Sequence, residues 1–212
     1  MASMPMDIPN VSFYFFDHSL GMMFLWKHQN LLQNMAIWDF DILVFAEDDV
    51  LISKDNFDYF AEHSEELKGT EYLPGLISYE NWDDCRCLHS MRTYSWKMGQ
   101  AKEINGKRYW TVSDENRLFP NVHQCCYLLD KERFEQLASE NKFPVEPELF
   151  QWGRRNRFLG PRESASCWLW ALYYKKAWAL DDLDRAFVLH DDHYKHHPIG
   201  PTIEQFKAEI AA

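Results

Sequence analysis

Glu47, Asp48 and Asp49 stand side by side directly after the apolar run Ile42-Leu43-Val44-Phe45-Ala46. Three adjacent ionised carboxylates repel one another, and at the end of a buried strand they are costly unless a cation sits among them. Ligands of open α/β sheets bind outside the carboxyl ends of the strands. A divalent ion held by one or two carboxylates, with diphosphate oxygens completing its shell, suits Mg2+ or Mn2+. The plain alternative is a solvated acidic loop. The apolar run before the triplet and Val50-Leu51-Ile52 after it argue against that alternative.

Three further groups of residues have chemical potential. His190-Asp191-Asp192-His193-Tyr194-Lys195-His196-His197 combines imidazole and carboxylate, which suit Mn2+ or Zn2+, with Lys195 available to neutralise a phosphate. A polar loop with accidental histidine enrichment would read the same way. Arg154, Arg155, Arg157 and Arg162 form a cationic island in an acidic chain, and guanidinium groups grip phosphate or sugar oxygens in bidentate fashion. Glu163 follows them in the first turn of an expected helix, where an acid also complements the helix dipole without any catalytic role. Tyr79-Glu80-Asn81-Trp82-Asp83-Asp84 sets aromatic faces beside carboxylates, a pairing suited to a sugar acceptor and equally to a solvated turn. No Gly-rich dinucleotide fingerprint, Walker A loop or nucleophile elbow is present.

Elements of an α/β domain must position these groups. Residues 11–16 and 42–46 read as buried strands, the second as a central parallel strand covered on both faces. Helices are expected from about Leu20 to Met35, from Lys54 to Leu67, from Lys131 to Leu137 behind an Asp130 cap, and from Arg162 to Trp178. Strands are expected at Leu73–Glu80 after a turn, at Gln124–Leu129 and at Arg185–Leu189, with a closing amphipathic helix from Thr202 to Ile210. Asn105-Gly106 between strand-like arms marks a β-hairpin, read as an excursion from the sheet core. The segment from Pro144 to Pro161 reads as irregular. The whole, residues 1–212, reads as a single domain with a mixed, mainly parallel central sheet flanked by helices.

The 212 residues carry a net charge of −11, which disfavours nucleic acid or an anionic membrane as partner. A phosphate-bearing substrate would then need a metal ion or locally placed cations. The nine Trp suit core staples, and their flat apolar faces also suit sugar rings. Five Cys in C-x-C, C-C and single spacings match no common zinc pattern and are expected as free thiols. With no spanning run and no secretory signal, a cytoplasmic location without a membrane span is expected.

Read in order, Trp26-Lys27-His28-Gln29, the strand ending in Glu47-Asp48-Asp49, Pro74-Gly75-Leu76-Ile77-Ser78-Tyr79-Glu80, Arg162-Glu163-Ser164-Ala165-Ser166 and Phe187-Val188-Leu189-His190 resemble blocks of the GT-A class of glycosyltransferases. They are similar in particular to the soluble GT-A domains that chlorella viruses use in building glycans, which can stand within longer multidomain chains and act in the host cytoplasm. Two positions depart from the pattern: Gln29 stands where relatives often carry Arg, and the triplet is E-D-D rather than D-x-D.

The resemblance implies a GT-A-like, Rossmann-like fold and a Mn2+ or Mg2+ cofactor. It implies transfer of a hexose or deoxyhexose, glucose- or rhamnose-like, from a UDP-sugar to a glycan acceptor hydroxyl. Asp49 would be the principal metal ligand and His190 the late ligand to the metal or diphosphate. Glu47 and Asp48 would lie near the ribose or the ion, and Phe16, Asp17 and His18 would line the base pocket. Lys27, Tyr79, Arg155 and Lys195 complete the expected nucleotide-sugar contacts. Glu163, Asp83 and Asp84 are candidates for a catalytic base or for donor-sugar contacts, with inversion and retention both open. Two other readings compete: a non-catalytic carbohydrate-binding module, and a metal-dependent phosphohydrolase. The first has no use for a buried-strand acidic triplet, and the second would need no acceptor sugar.

Overall fold

A computed structural model describes residues 32, 39–47, 49–82, 84–89, 99–112, 126–143, 168–170, 172–191 and 199–211. The expected strand at 11–16, most of the expected first helix and the irregular segment 144–161 lie outside the described residues, although Leu32 is helical and buried.

The described chain is mixed α/β. It runs through β1 (Ile42–Ala46), β2 (Val50–Leu51), α1 (Lys54–Glu66), β3 (Tyr72–Pro74), β4 (Ile77–Trp82), β5 (Cys85–His89), β6 (Gly99–Ile104), β7 (Lys107–Val112), β8 (Cys126–Asp130) and α2 (Lys131–Ser139). Then follow β9 (Lys175–Ala179), a 3-10 segment (Leu180–Ala186), β10 (Phe187–His190), β11 (Ile199–Thr202) and α3 (Ile203–Ala211). Five strands form one sheet in the order β11-β5-β4-β10-β2, four form a second in the order β3-β9-β7-β6, and β1 pairs with β8.

Parallel pairing is the minority among the described residues. Only β4 with β10 and β3 with β9 run parallel, while the other ladders are antiparallel. The expectation of a mainly parallel sheet therefore does not hold there. The clearest correction is β1, whose five apolar residues pair antiparallel with β8, and whose last residue, Ala46, is exposed. A short continuous apolar run shows that a strand is wanted but says nothing of its partner's direction.

Two other corrections follow from tertiary context. Lys175-Lys176-Ala177-Trp178-Ala179, expected as the end of a helix, is β9, and all five residues are buried between β3 and β7. Lys and Ala favour helices, but here Lys175 Nζ reaches Glu71 Oε1 at 2.7 Å and Lys176 lies over the Trp170 ring at 5.1 Å. Long amphipathic stems let such residues line a sheet while their charged heads find partners. The hairpin at Asn105-Gly106 forms as expected, with φ of 51° and 81° at its two turn residues. Its second arm also pairs with β9, so it is part of a sheet rather than an excursion.

Helix α1 organises the region around the acidic triplet. Ser53 caps it: its Oγ accepts from the Asn56 N–H at 3.3 Å, and Asn56 Oδ1 accepts from the Ser53 N–H at 2.9 Å. The Asn56 amide then donates to the carbonyls of Arg185 (2.8 Å) and Phe187 (2.9 Å), at the entry to β10. A single buried side chain thus starts α1 and pins the strand that ends in His190. Further along α1, buried His63 meets Glu66 Oε2 (2.8 Å), the Tyr109 hydroxyl (3.1 Å) and Asp182 Oδ2 (3.1 Å). It joins α1 to β7 and to the 3-10 segment. At the other end of α1, Arg133 of α2 donates to the carbonyls of Ser64 (3.3 Å) and Leu67 (3.0 Å), satisfying helix-end carbonyls.

Three of the five described tryptophans, Trp168, Trp170 and Trp178, are buried in the core, while Trp82 and Trp110 are half-buried. Trp168 sits in an aromatic chain with Tyr127, Phe143 and Tyr173. For these three, stapling rather than sugar stacking explains the aromatic content.

Candidate metal and nucleotide site

β4 and β10 lie side by side and parallel, with Leu189 opposite Tyr79. One step further along, Glu80, the fourth of the six residues of β4, and His190, the last residue of β10, become neighbours. Across the other edge of β10, Val50 pairs with His190, and the Asp191 N–H donates to the Asp49 carbonyl at 2.7 Å. The turn from Glu47 to Val50, closed by a 3.2 Å backbone bond, therefore meets the carboxyl end of β10.

The side chains converge at that point. His190, only 5% exposed, has Nε2 3.4 Å from Asp49 Oδ2 and Nδ1 3.2 Å from Glu80 Oε1. Residues 141 positions apart in sequence are brought together by a ladder that nothing in the local sequence announces. The other Asp49 oxygen, Oδ1, is buried with no hydrogen-bond partner among the described residues. A buried carboxylate oxygen without a donor is costly, and a cation would relieve it. Glu47 is buried at the end of β1, beside the same turn.

A divalent ion suits this geometry. Two atoms each about 2.1 Å from an octahedral ion and at right angles are about 3.0 Å apart. The 3.4 Å between His190 Nε2 and Asp49 Oδ2 is within a few tenths of an ångström of that spacing. Among the described residues no group of three His, Cys, Asp or Glu side chains forms a ready metal cage. Two protein ligands with the remaining positions left to water and phosphate oxygens is nonetheless the usual habit of Mg2+ at phosphate sites.

Of the residues expected in the site, Asp49, His190 and Glu47 stand at this point. Asp84 is exposed in the turn between β4 and β5, at the same end of the sheet. Tyr79 alternates to the face of β4 opposite Glu80 and lies under Arg86, whose guanidinium carbon is 5.9 Å from the ring centroid. Phe16, Asp17, His18, Lys27, Asp48, Asp83, Arg155, Glu163 and Lys195 lie outside the described residues. Glu80 is the member that sequence reasoning left without a role. It stood in the block with Tyr79, and only the parallel register places it against His190. Cys85, Cys87 and Cys126 are free thiols, and none joins this site.

No protein-family model, no curated protein and no solved structure matches the chain. The likeness to GT-A enzymes therefore rests on the sequence blocks themselves.

Proposed function

We propose that this chain is a metal-dependent glycosyltransferase that moves a hexose or deoxyhexose from a UDP-sugar to a glycan hydroxyl, with Mn2+ or Mg2+ as cofactor. One observation carries the reading. Asp49 and His190, nominated as metal ligands from separate sequence blocks, face each other across 3.4 Å at the carboxyl end of β10.

The division of labour follows from the side chains. Asp49 offers a carboxylate with one oxygen toward His190 and one buried oxygen in need of a cation. His190 offers Nε2 from a ring held on both sides. A bound divalent ion would supply positive charge to the diphosphate as it leaves, which stabilises the charge developing in the transition state. Glu47 and Asp48 would serve the ribose or the ion and Lys195 the nucleotide, with Asp83, Asp84 and Glu163 as candidates for a catalytic base or for donor-sugar contacts.

The test is a thermal-shift comparison of UDP, GDP, CMP and TDP compounds with Mn2+ and with EDTA. At about 100 times its dissociation constant a ligand stabilises by about 2.7 kcal/mol, so binding is readily seen. UDP should stabilise the chain in Mn2+ and not in EDTA. Stabilisation of the same size in EDTA would remove the metal bridge. UDP-sugar consumption without a glycosylated product would favour a phosphohydrolase.

A further inference from the structure

We infer that Glu80 is a positioning residue for His190, holding the ring so that Nε2 presents its lone pair beside Asp49; this rests on the metal site proposed above. An ionised carboxylate only accepts hydrogen bonds. The 3.2 Å contact between Glu80 Oε1 and His190 Nδ1 therefore places the ring proton on Nδ1. That leaves Nε2 facing Asp49 Oδ2, which is also an acceptor, at 3.4 Å. Two acceptors face each other at short range only if a cation lies between them, and a metal ion or a second ring proton meets that need. Histidines that ligate metals usually donate their other N–H to a carboxylate or carbonyl, which sets the tautomer and raises the ring's basicity.

The fold makes this contact a property of the sheet rather than of a loop. Glu80 and His190 follow directly on the paired residues Tyr79 and Leu189 of two parallel strands, so they point to the same face. The start of β10 is fixed by Asn56, and its end by the pairing with Val50 and by the Asp191–Asp49 backbone bond. The ring has neighbours on both of its nitrogens and is almost wholly buried. Glu80 itself is largely covered, with its side chain 17% exposed.

Two measurements on the full chain test the inference. The first uses 15N imidazole spectra of EDTA-treated protein, with His190 identified by its loss in His190→Ala. Taken to a pH high enough to leave the ring a single proton, the wild type should show His190 with that proton on Nδ1, and Glu80→Ala should show a mixture of tautomers. An unchanged His190 spectrum in Glu80→Ala, or an Nε2–H tautomer in the wild type, overturns the inference whether or not metal binds.

The second measurement is Mn2+ affinity by titration calorimetry without nucleotide. Glu80→Ala should weaken binding about 10- to 100-fold, and adding it to His190→Ala should cost little more, because Glu80 acts through the ring. An equal loss in both backgrounds would mean that Glu80 acts independently of His190 and would overturn the inference. Should Glu80→Ala not fold, Glu80→Gln keeps the shape and should still lower Mn2+ affinity about tenfold; wild-type affinity in that variant counts against the inference. If the wild type binds no Mn2+, the metal site of the proposed function falls, while the tautomer spectra still decide the role of Glu80.

Discussion

Asp49 sits where two demands meet: its backbone carbonyl closes the ladder to Asp191, and its side chain faces His190. Replacing the side chain leaves the backbone bond intact. Asp49→Ala should therefore abolish Mn2+-dependent UDP binding and sugar transfer while the melting temperature of the metal-free protein holds or rises slightly, since one charge leaves a crowded acidic turn. Full transfer activity in that variant would reduce the triplet to a surface loop. Asn56 shows the opposite balance, a residue far from any chemistry on which the framework depends. Asn56→Ala removes the N3 half of the capping box while Ser53 stays as the cap, and it leaves the carbonyls of Arg185 and Phe187, at the entry to β10, without their donor, at about 1–3 kcal/mol. Urea denaturation should show a loss of about 1–3 kcal/mol. A loss below about 0.5 kcal/mol would mean that water replaces the amide, and that Asn56 does not hold β10.

Helices α1 and α2 are joined by a charged contact whose pH dependence can be read from its partners. Burial alone would raise the Asp130 carboxyl, but the Ser64 hydroxyl, the Arg133 N–H and the Arg133 guanidinium outweigh it and hold the group below the usual carboxylate range. A carboxyl depressed in the folded state contributes its stability in full above its unfolded value, about 3.9, and loses it as pH falls through the lower folded value. Asp130→Asn keeps a capping side chain but should flatten the acid limb of the stability curve below about pH 4, measured as the urea midpoint against pH. An unchanged acid limb would mean that other carboxylates dominate acid unfolding. In the β6–β7 hairpin, Gly106 has φ of 81° with open space where a Cβ would stand. Gly106→Ala should therefore cost about 1 kcal/mol from backbone strain alone, checked by the same denaturation.

These elements differ in how far sequence revealed them, for physical reasons. Asn105-Gly106 and the Asp130 cap are decided by neighbours within a few residues, so they are legible in the chain. β9 is decided by what surrounds it: Glu71, Trp170 and the flanking strands override the helical preference of Lys and Ala. The direction of the β1 partner is not written in five apolar residues. The site divides in the same way. Asp49 and His190 could be nominated as candidates because their residue types and their places at strand ends are local features, and the fold brings their side chains together. Glu80 could not, because its contact with His190 exists only through the register of β4 against β10.

Across the whole molecule, charge and covering set the terms on which any substrate binds. The chain carries a net charge of −11, so a nucleoside diphosphate approaches against a repulsive field and gains little without a cation at the site. Among the described residues no helix is long and apolar enough to cross a membrane. The central claim is that Asp49 and His190 hold one divalent ion that bridges to UDP. Titration calorimetry of UDP into wild type, Asp49→Ala, His190→Ala and the double variant, each in Mn2+ and in EDTA, tests it most directly. The wild type should bind in Mn2+ alone, each single variant should lose that binding, and the double should lose no more. UDP binding of equal strength in EDTA, or binding that survives in both single variants, would contradict it.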